Sequence, residues 1–272
     1  MKKDASLTAR IITGLILFLV TAAAILLRGY YLLAYVWLFI IVGTYELCRV
    51  LKAAGRRISF AYTLISVVVI ASLYYWATPV AAVIALVLCA MVGLTGLVFR
   101  REQPDLGDIL AAVFPLVYPL LPILLLLGMC KLPQPYDLVG WVLTLLSSVA
   151  VDMFAYIFGR LLGKRKLCPH ISPNKTIAGA VGGLVSGIAV MVAAGWVCRL
   201  LGVPLPWWFI LAAAVLCCVA AQLGDLIASM IKRACGVKDF GTILPGHGGV
   251  LDRVDSYLFV GTVLYALISF II

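Results

Sequence analysis

Residues 217–233, CCVAAQLGDLIASMIKR, set an aspartate in the middle of an apolar run and close the run with two cations. The apolar character extends back to residue 207, so the stretch reaches the ~20 residues that carry a helix across a ~30 Å hydrocarbon layer. Gln222, Asp225, Ser229 and Lys232 are spaced three, four and three apart, which at helical pitch lines them along one face. A carboxylate inside a span costs about 2.5–3.5 kcal/mol on insertion scales, so Asp225 is expected to face the bundle interior or a water-filled cavity and to have a partner there. It either serves a function or ties helices together; the polar stripe running on to Lys232 and Arg233 favours function.

The pattern recurs along the chain. Hydrophobic residues make up 65% of the 272 and charged residues 12%, a balance that excludes an ordinary soluble domain. Apolar blocks between polar punctuation predict spans near 11–27, 31–48, 60–76, 79–99, 107–128, 138–159, 179–201, 207–231 and 251–271. The expected fold is an all-α polytopic membrane protein of nine helices in one integral unit, five within 1–135 and four within 136–272. Pro115, Pro119 and Pro122 interrupt the fifth, and proline removes a backbone donor and kinks a helix.

Cations test this count, because cytoplasmic loops collect Lys and Arg. With the N-terminus inside, those loops hold Lys2, Lys3 and Arg10; Arg49, Lys52, Arg56 and Arg57; and Arg100 and Arg101. They continue with Arg160, Lys164, Arg165, Lys166 and Lys175, then Lys232, Arg233, Lys238 and Arg253. Of the 21 cations only Arg28, Lys131 and Arg199 fall elsewhere, which places the C-terminus on the far side. The net charge of +10 is thus mostly topological, with attraction to anionic lipid headgroups as a second consequence and no nucleic-acid partner implied. MKKDASLTAR and the run after it read as a retained first helix, since no small-residue cleavage site closes it. The eight cysteines form no CxxC pair and read as small packing residues.

The largest polar segments, 160–178 and 232–250, hold most of the chemistry together with the helices that feed them. Along the sixth span Ser148, Asp152, Tyr156 and Arg160 recur every fourth residue, so Asp152 either functions or is satisfied by Tyr156 or Arg160. In GGVLDRVDSYLF, Asp252 and Asp255 project from one face near the start of the ninth helix. Two carboxylates there favour the helix dipole. With Asp225 beside them they would form an oxygen-rich site for a hard divalent ion, above all Mg²⁺ with phosphate ligands. Carboxylates that close repel one another unless a cation joins them, which favours the metal.

Glycines around His247 in PGHGG let a backbone approach a ligand and offer N–H groups to anions. Flanked by Lys232, Arg233, Lys238 and Arg253, the loop suits a polyphosphate and its metal. In SPNKT, Lys175 and Thr176 precede the seventh helix, whose free N–H groups welcome an anionic headgroup. Gly179, Gly183 and Gly187 then form a close-packing face between helices.

The run SMIKRACGVKDFGTILPGHGGVLDRVDS, residues 229–256, is similar to the signature of the phosphatidate cytidylyltransferases, also called CDP-diacylglycerol synthases. The resemblance rests on Ser229, Lys232, Arg233, Lys238, Asp239, Pro245, His247, Gly248, Gly249, Asp252, Arg253 and Asp255. SPNKTIAGAVGG resembles the family's second recurrent element, although Ile177 and Ala178 stand where Trp and Glu often follow the Thr.

This resemblance implies that CTP and phosphatidic acid react to give CDP-diacylglycerol and pyrophosphate, with Mg²⁺ required. It also implies a homodimer in a bacterial inner membrane, its active site facing the cytoplasm and feeding phospholipid synthesis. Asp225 and Asp252 would hold the metal, one ion or two, with Asp255 close by as a third ligand or just behind them. Lys232, Arg233, Lys238 and Arg253 would neutralise the triphosphate and the leaving pyrophosphate. His247 would donate to a phosphate oxygen, and no general base is needed if the lipid phosphate attacks already ionised. Ser172, Lys175 and Thr176 fall to the lipid headgroup or the nucleotide, and Ser229, Gly248 and Gly249 to the substrates. A CTP-dependent lipid kinase would share a membrane site for CTP, and an ion-coupled transporter would also bury Asp152 and Asp225 in broken helices.

Overall fold

The computed structural model describes residues 7–99, 103–244 and 246–272, with side chains described from Ile12 onward. Lys2, Lys3, Arg100, Arg101 and Pro245 lie outside the described residues, as does the side chain of Arg10. The described residues form ten helices and one hairpin: α1 Leu7–Leu27, α2 Gly29–Ala53, α3 Phe60–Trp76, α4 Pro79–Val98, α5 Leu106–Val117, α6 Leu120–Met129 and α7 Tyr136–Leu162. Strands β1 Lys166–Cys168 and β2 Ser172–Thr176 follow, then α8 Ile177–Leu200, α9 Trp207–Ala234 and α10 Leu251–Ser269.

Every expected apolar segment is helical, and the helix starts follow local chemistry. Ser59 and Thr78 cap α3 and α4 through their hydroxyl groups, and Pro79 occupies the first turn of α4, where its missing N–H costs nothing. Asp105 caps α5 by accepting from the Asp108 N–H at 2.7 Å. The expected fifth span is two helices, broken between Val117 and Leu120, where Pro119 lacks the N–H a continuous helix needs. Among the described residues six segments are long and apolar enough to cross a bilayer: α2, α4, the α5–α6 stretch Leu106–Met129, α7, α8 and α9. The stretch Ile12–Leu27 of α1, and α3, are apolar but shorter. The antiparallel hairpin β1–β2 was not expected in an all-α fold; it occupies the polar segment before α8.

Two compact units make up the chain. The first joins residues 1–128 to 234–253, and α2 is its buried spine, with Val36, Ile40 and Leu47 fully enclosed. Arg56 donates to both oxygens of Asp105 at 2.8 and 2.7 Å, and the Arg57 N–H donates to Asp108, so the loop after α2 is tied to the start of α5.

The second unit comprises residues 129–233 and 254–272. Its α7 and α8 pack along the glycine face: a Cβ at Gly179 would come within 2.6 Å of the Ala155 carbonyl, and one at Gly183 within 2.8 Å of the Val151 carbonyl. Backbone cannot yield there, so glycine sets the helix separation, as the sequence spacing predicts. All eight cysteines are free thiols, and Cys48, Cys217 and Cys218 are buried in packing roles.

Candidate active site

A cavity of about 500 Å³ opens in the second unit. Val151, Ala155, Gly179 and Ala180 give it an apolar wall, and Asp152, Tyr156, Arg160, Asn174, Lys175, Gln222 and Asp225 give it a polar one. Both carboxylates that the sequence sets within apolar runs, Asp152 on α7 and Asp225 on α9, therefore reach the same space.

The sequence puts them there through its four-residue spacings. On α7, Arg160 donates to the Tyr156 hydroxyl at 3.1 Å, and both line the cavity with Asp152, whereas Ser148 is buried away from it. On α9, Gln222 donates to the Ala180 carbonyl at 2.9 Å, and Ser229 donates to Asp225 Oδ1 at 3.3 Å. Lys175 closes the wall from β2, its Nζ lying 2.6 Å from Asp225 Oδ2. A charge-assisted bond of this kind contributes about 1.5–3 kcal/mol where it is sheltered, and these side chains are 27% and 30% exposed, so the lower end applies.

The hairpin is what presents Lys175. Arg233 donates to the Ile171 carbonyl at 3.2 Å, fastening the hairpin turn to the end of α9. Thr176 caps α8 by accepting from the Gly179 N–H at 3.1 Å. Lys175 is thus held at both sides of its own position. Ser172, which sequence placed beside it, is absent from the cavity lining, and Asn174 is present instead.

Asp255 is 7% exposed and three residues beyond Asp252 on α10. Asp225 and Asp152 repel its charge, and the buried ammonium of Lys232 attracts it. Gly224 allows the close approach of α9 to this turn: a Cβ there would meet the Asp255 carbonyl at 2.7 Å. Among the described residues no group of three or more His, Cys, Asp or Glu is gathered as a metal cage. In kind, the donors suit a hard ion: Asp152 and Asp225 line the cavity, Lys175 pairs with Asp225, and Lys232 attracts the charge of Asp255. Mg²⁺ commonly takes one or two carboxylates and completes its shell with phosphate and water.

In the first unit the PGHGG loop is built on its glycines. Gly246 and Gly248 adopt φ of 76° and 82°, a region that disfavours any side chain. Leu244 and Gly248 bridge at 2.9 Å, and the His247 ring lies against Gly14 of α1. Asp252 Oδ2 accepts the N–H groups of Phe240 at 2.8 Å and Gly249 at 2.9 Å, so one oxygen of this carboxylate binds backbone at the start of α10. Lys238 is exposed and lines a smaller cavity of about 300 Å³ with Arg49, Asp239 and Phe240. Arg253 is exposed.

Sequence reading missed Glu46. It is fully buried on α2, with Oε1 accepting the Val250 N–H at 2.9 Å and Oε2 the Leu251 N–H at 2.8 Å. The signal was available: Glu46 is the one carboxylate in an apolar 25-residue helix, the feature that drew attention to Asp225.

A family model described as the cytidylyltransferase family matches residues 8–271. Phosphatidate cytidylyltransferase of Bacillus subtilis (strain 168) is 48% identical to this chain over 120 residues, 44% of either protein. The protein of the same name from Staphylococcus haemolyticus (strain JCSC1435) is 50% identical over 109 residues, 40% of this chain and 41% of that one. That of Staphylococcus aureus (strain COL) is 48% identical over 109 residues. The matched stretches thus span less than half the length of these relatives.

Proposed function

The chain belongs to the cytidylyltransferase family, and from that premise we propose that it transfers the CMP group of CTP to phosphatidic acid, giving CDP-diacylglycerol and pyrophosphate. The observation that carries this reading is the cavity of the second unit, in which an apolar wall faces Lys175, Arg160 and Asn174. That pairing suits a lipid with an anionic headgroup. The names of the relatives support the same substrates.

An ionised phosphate oxygen of the lipid attacks the α-phosphorus of CTP in line. A new P–O bond forms as the bond to the bridging oxygen breaks, and the electron pair leaves with pyrophosphate, so no proton has to move. Catalysis of such transfers is mostly positioning and charge neutralisation. Lys175 takes the headgroup, and Thr176 sets Lys175 by capping α8. Lys232, Arg233, Lys238 and Arg253 neutralise the triphosphate, with N–H groups around Gly248 and Gly249 as further donors. His247 donates to a phosphate oxygen, Ser172 and Ser229 assist as neutral polar contacts, and Asp225 and Asp255 would hold Mg²⁺, with Asp252 three residues before Asp255 on α10. Mg²⁺, when bound, supplies charge neutralisation on the phosphates.

The finer assignments belong to the same proposal: nine crossings, a cytoplasmic N-terminus and active site, a homodimer, and a bacterial plasma membrane. Purified protein given phosphatidic acid and CTP labelled at the α or the γ phosphate tests the reaction. Label from the α position in the lipid supports it. Label from the γ position alone would make the protein a lipid kinase.

A further inference from the structure

Glu46 does for α10 what a local cap does for most helices. The first N–H groups of a helix have no partner within it. Here those of Val250 and Leu251 are taken by a carboxylate 204 and 205 residues earlier in the chain. The surroundings are shaped to admit it: a Cβ at Gly241 or at Gly249 would collide with the Glu46 carboxylate. Asp252 completes the arrangement by binding the N–H groups of Phe240 and Gly249. Three consecutive backbone donors, at 249–251, and that of Phe240 are thus fixed by two carboxylates, one of them supplied by α2.

We infer that Glu46 is a positioning residue for the proposed cytidylyl transfer, holding Phe240 and residues 246–253, His247, Gly248 and Arg253 among them, in the geometry that takes up the triphosphate. The inference rests on reading that segment as part of the nucleotide site. Both Glu46 oxygens must be acceptors, so glutamine cannot substitute: its amide keeps one acceptor and turns an NH₂ toward a backbone N–H.

The test compares wild type with Glu46→Gln and Gly249→Ala by amide hydrogen exchange and by CTP kinetics. Losing a hydrogen bond to a charged group corresponds to roughly tenfold or more. Exchange at Val250 and Leu251 should therefore quicken by about tenfold in both variants, with α7 and α8 protected as before. KM for CTP should rise by about tenfold while KM for phosphatidic acid stays within about twofold. Unchanged exchange in Glu46→Gln overturns the inference. So does local loosening with no effect on CTP use, and so does faster exchange throughout both units, which would make Glu46 a general packing residue. If wild type itself fails to turn over CTP, the functional reading falls, and the exchange result still decides whether Glu46 holds the loop.

Discussion

Lys175 Nζ lies 2.6 Å from Asp225 Oδ2, joining the hairpin before α8 to the middle of α9. An ammonium group on that oxygen answers the cost of placing a carboxylate in an apolar helix. It also gives the cavity one cation already oriented by its surroundings. Lys175→Met is expected to lower kcat/KM for phosphatidic acid by about ten- to hundredfold, the equivalent of the 1.5–3 kcal/mol of a charged hydrogen bond. Steady-state kinetics with varied lipid check this, and an unchanged ratio would remove Lys175 from the headgroup site.

Asp252→Asn separates charge from structure. Both backbone N–H groups reach the same carboxylate oxygen, Oδ2, and an asparagine carbonyl can accept both. The variant should keep wild-type thermal stability and lose turnover by more than about tenfold, because a neutral side chain no longer helps to hold the cation that neutralises the phosphates. A large fall in melting temperature would show instead that the second oxygen is structural.

Outside the membrane-spanning segments, the Arg56 guanidinium beside Asp105, together with the Asp108 N–H, holds the Asp105 carboxyl below the usual carboxylate range. A value depressed by folding contributes stability above the unfolded value, and the contribution is lost as pH falls through the lowered folded value. An NMR titration of the Asp105 carboxyl should give a midpoint below that of an ordinary aspartate, and Arg56→Ala should raise it. Identical midpoints in the two proteins would contradict the pairing.

Gly183→Leu drives a side chain into the Val151 carbonyl and Ala155. Overpacking of this kind costs about 1–3 kcal/mol. The melting temperature of detergent-solubilised protein should fall, whereas Gly202→Leu, at a site with nothing within 4 Å but a left-handed φ of 87°, tests backbone strain alone. Equal stability of Gly183→Leu and wild type would mean that α7 and α8 part without cost.

The helices were legible because hydropathy and proline both act locally: apolar runs became helices, and Pro119 broke the fifth where its missing N–H falls. The stripes through Asp152 and Asp225 were legible for the same reason, since periodicity alone puts their residues on one face. What periodicity cannot give is the partner across the chain. Lys175 was visible as a cation before a helix, but its pairing with Asp225 depends on the β1–β2 turn, tied down by Arg233 on the Ile171 carbonyl. Glu46 was passed over because its partners are backbone N–H groups of residues 250 and 251, which leave no side-chain pattern. Asn174 lies in SPNKT, where the sequence drew attention only to Ser172, Lys175 and Thr176, and a strand was needed to aim it.

Cytidylyl transfer is expected to depend on the Asp225 carboxylate in the cavity of the second unit. Purified wild type and Asp225→Asn, supplied with Mg²⁺, phosphatidic acid and α-labelled CTP, measure it directly as lipid-linked CMP formed per unit time. Lipid-linked CMP and equal pyrophosphate are expected from wild type, and a fall of about a hundredfold or more in the variant with its melting temperature kept. Near-normal turnover by Asp225→Asn would contradict it.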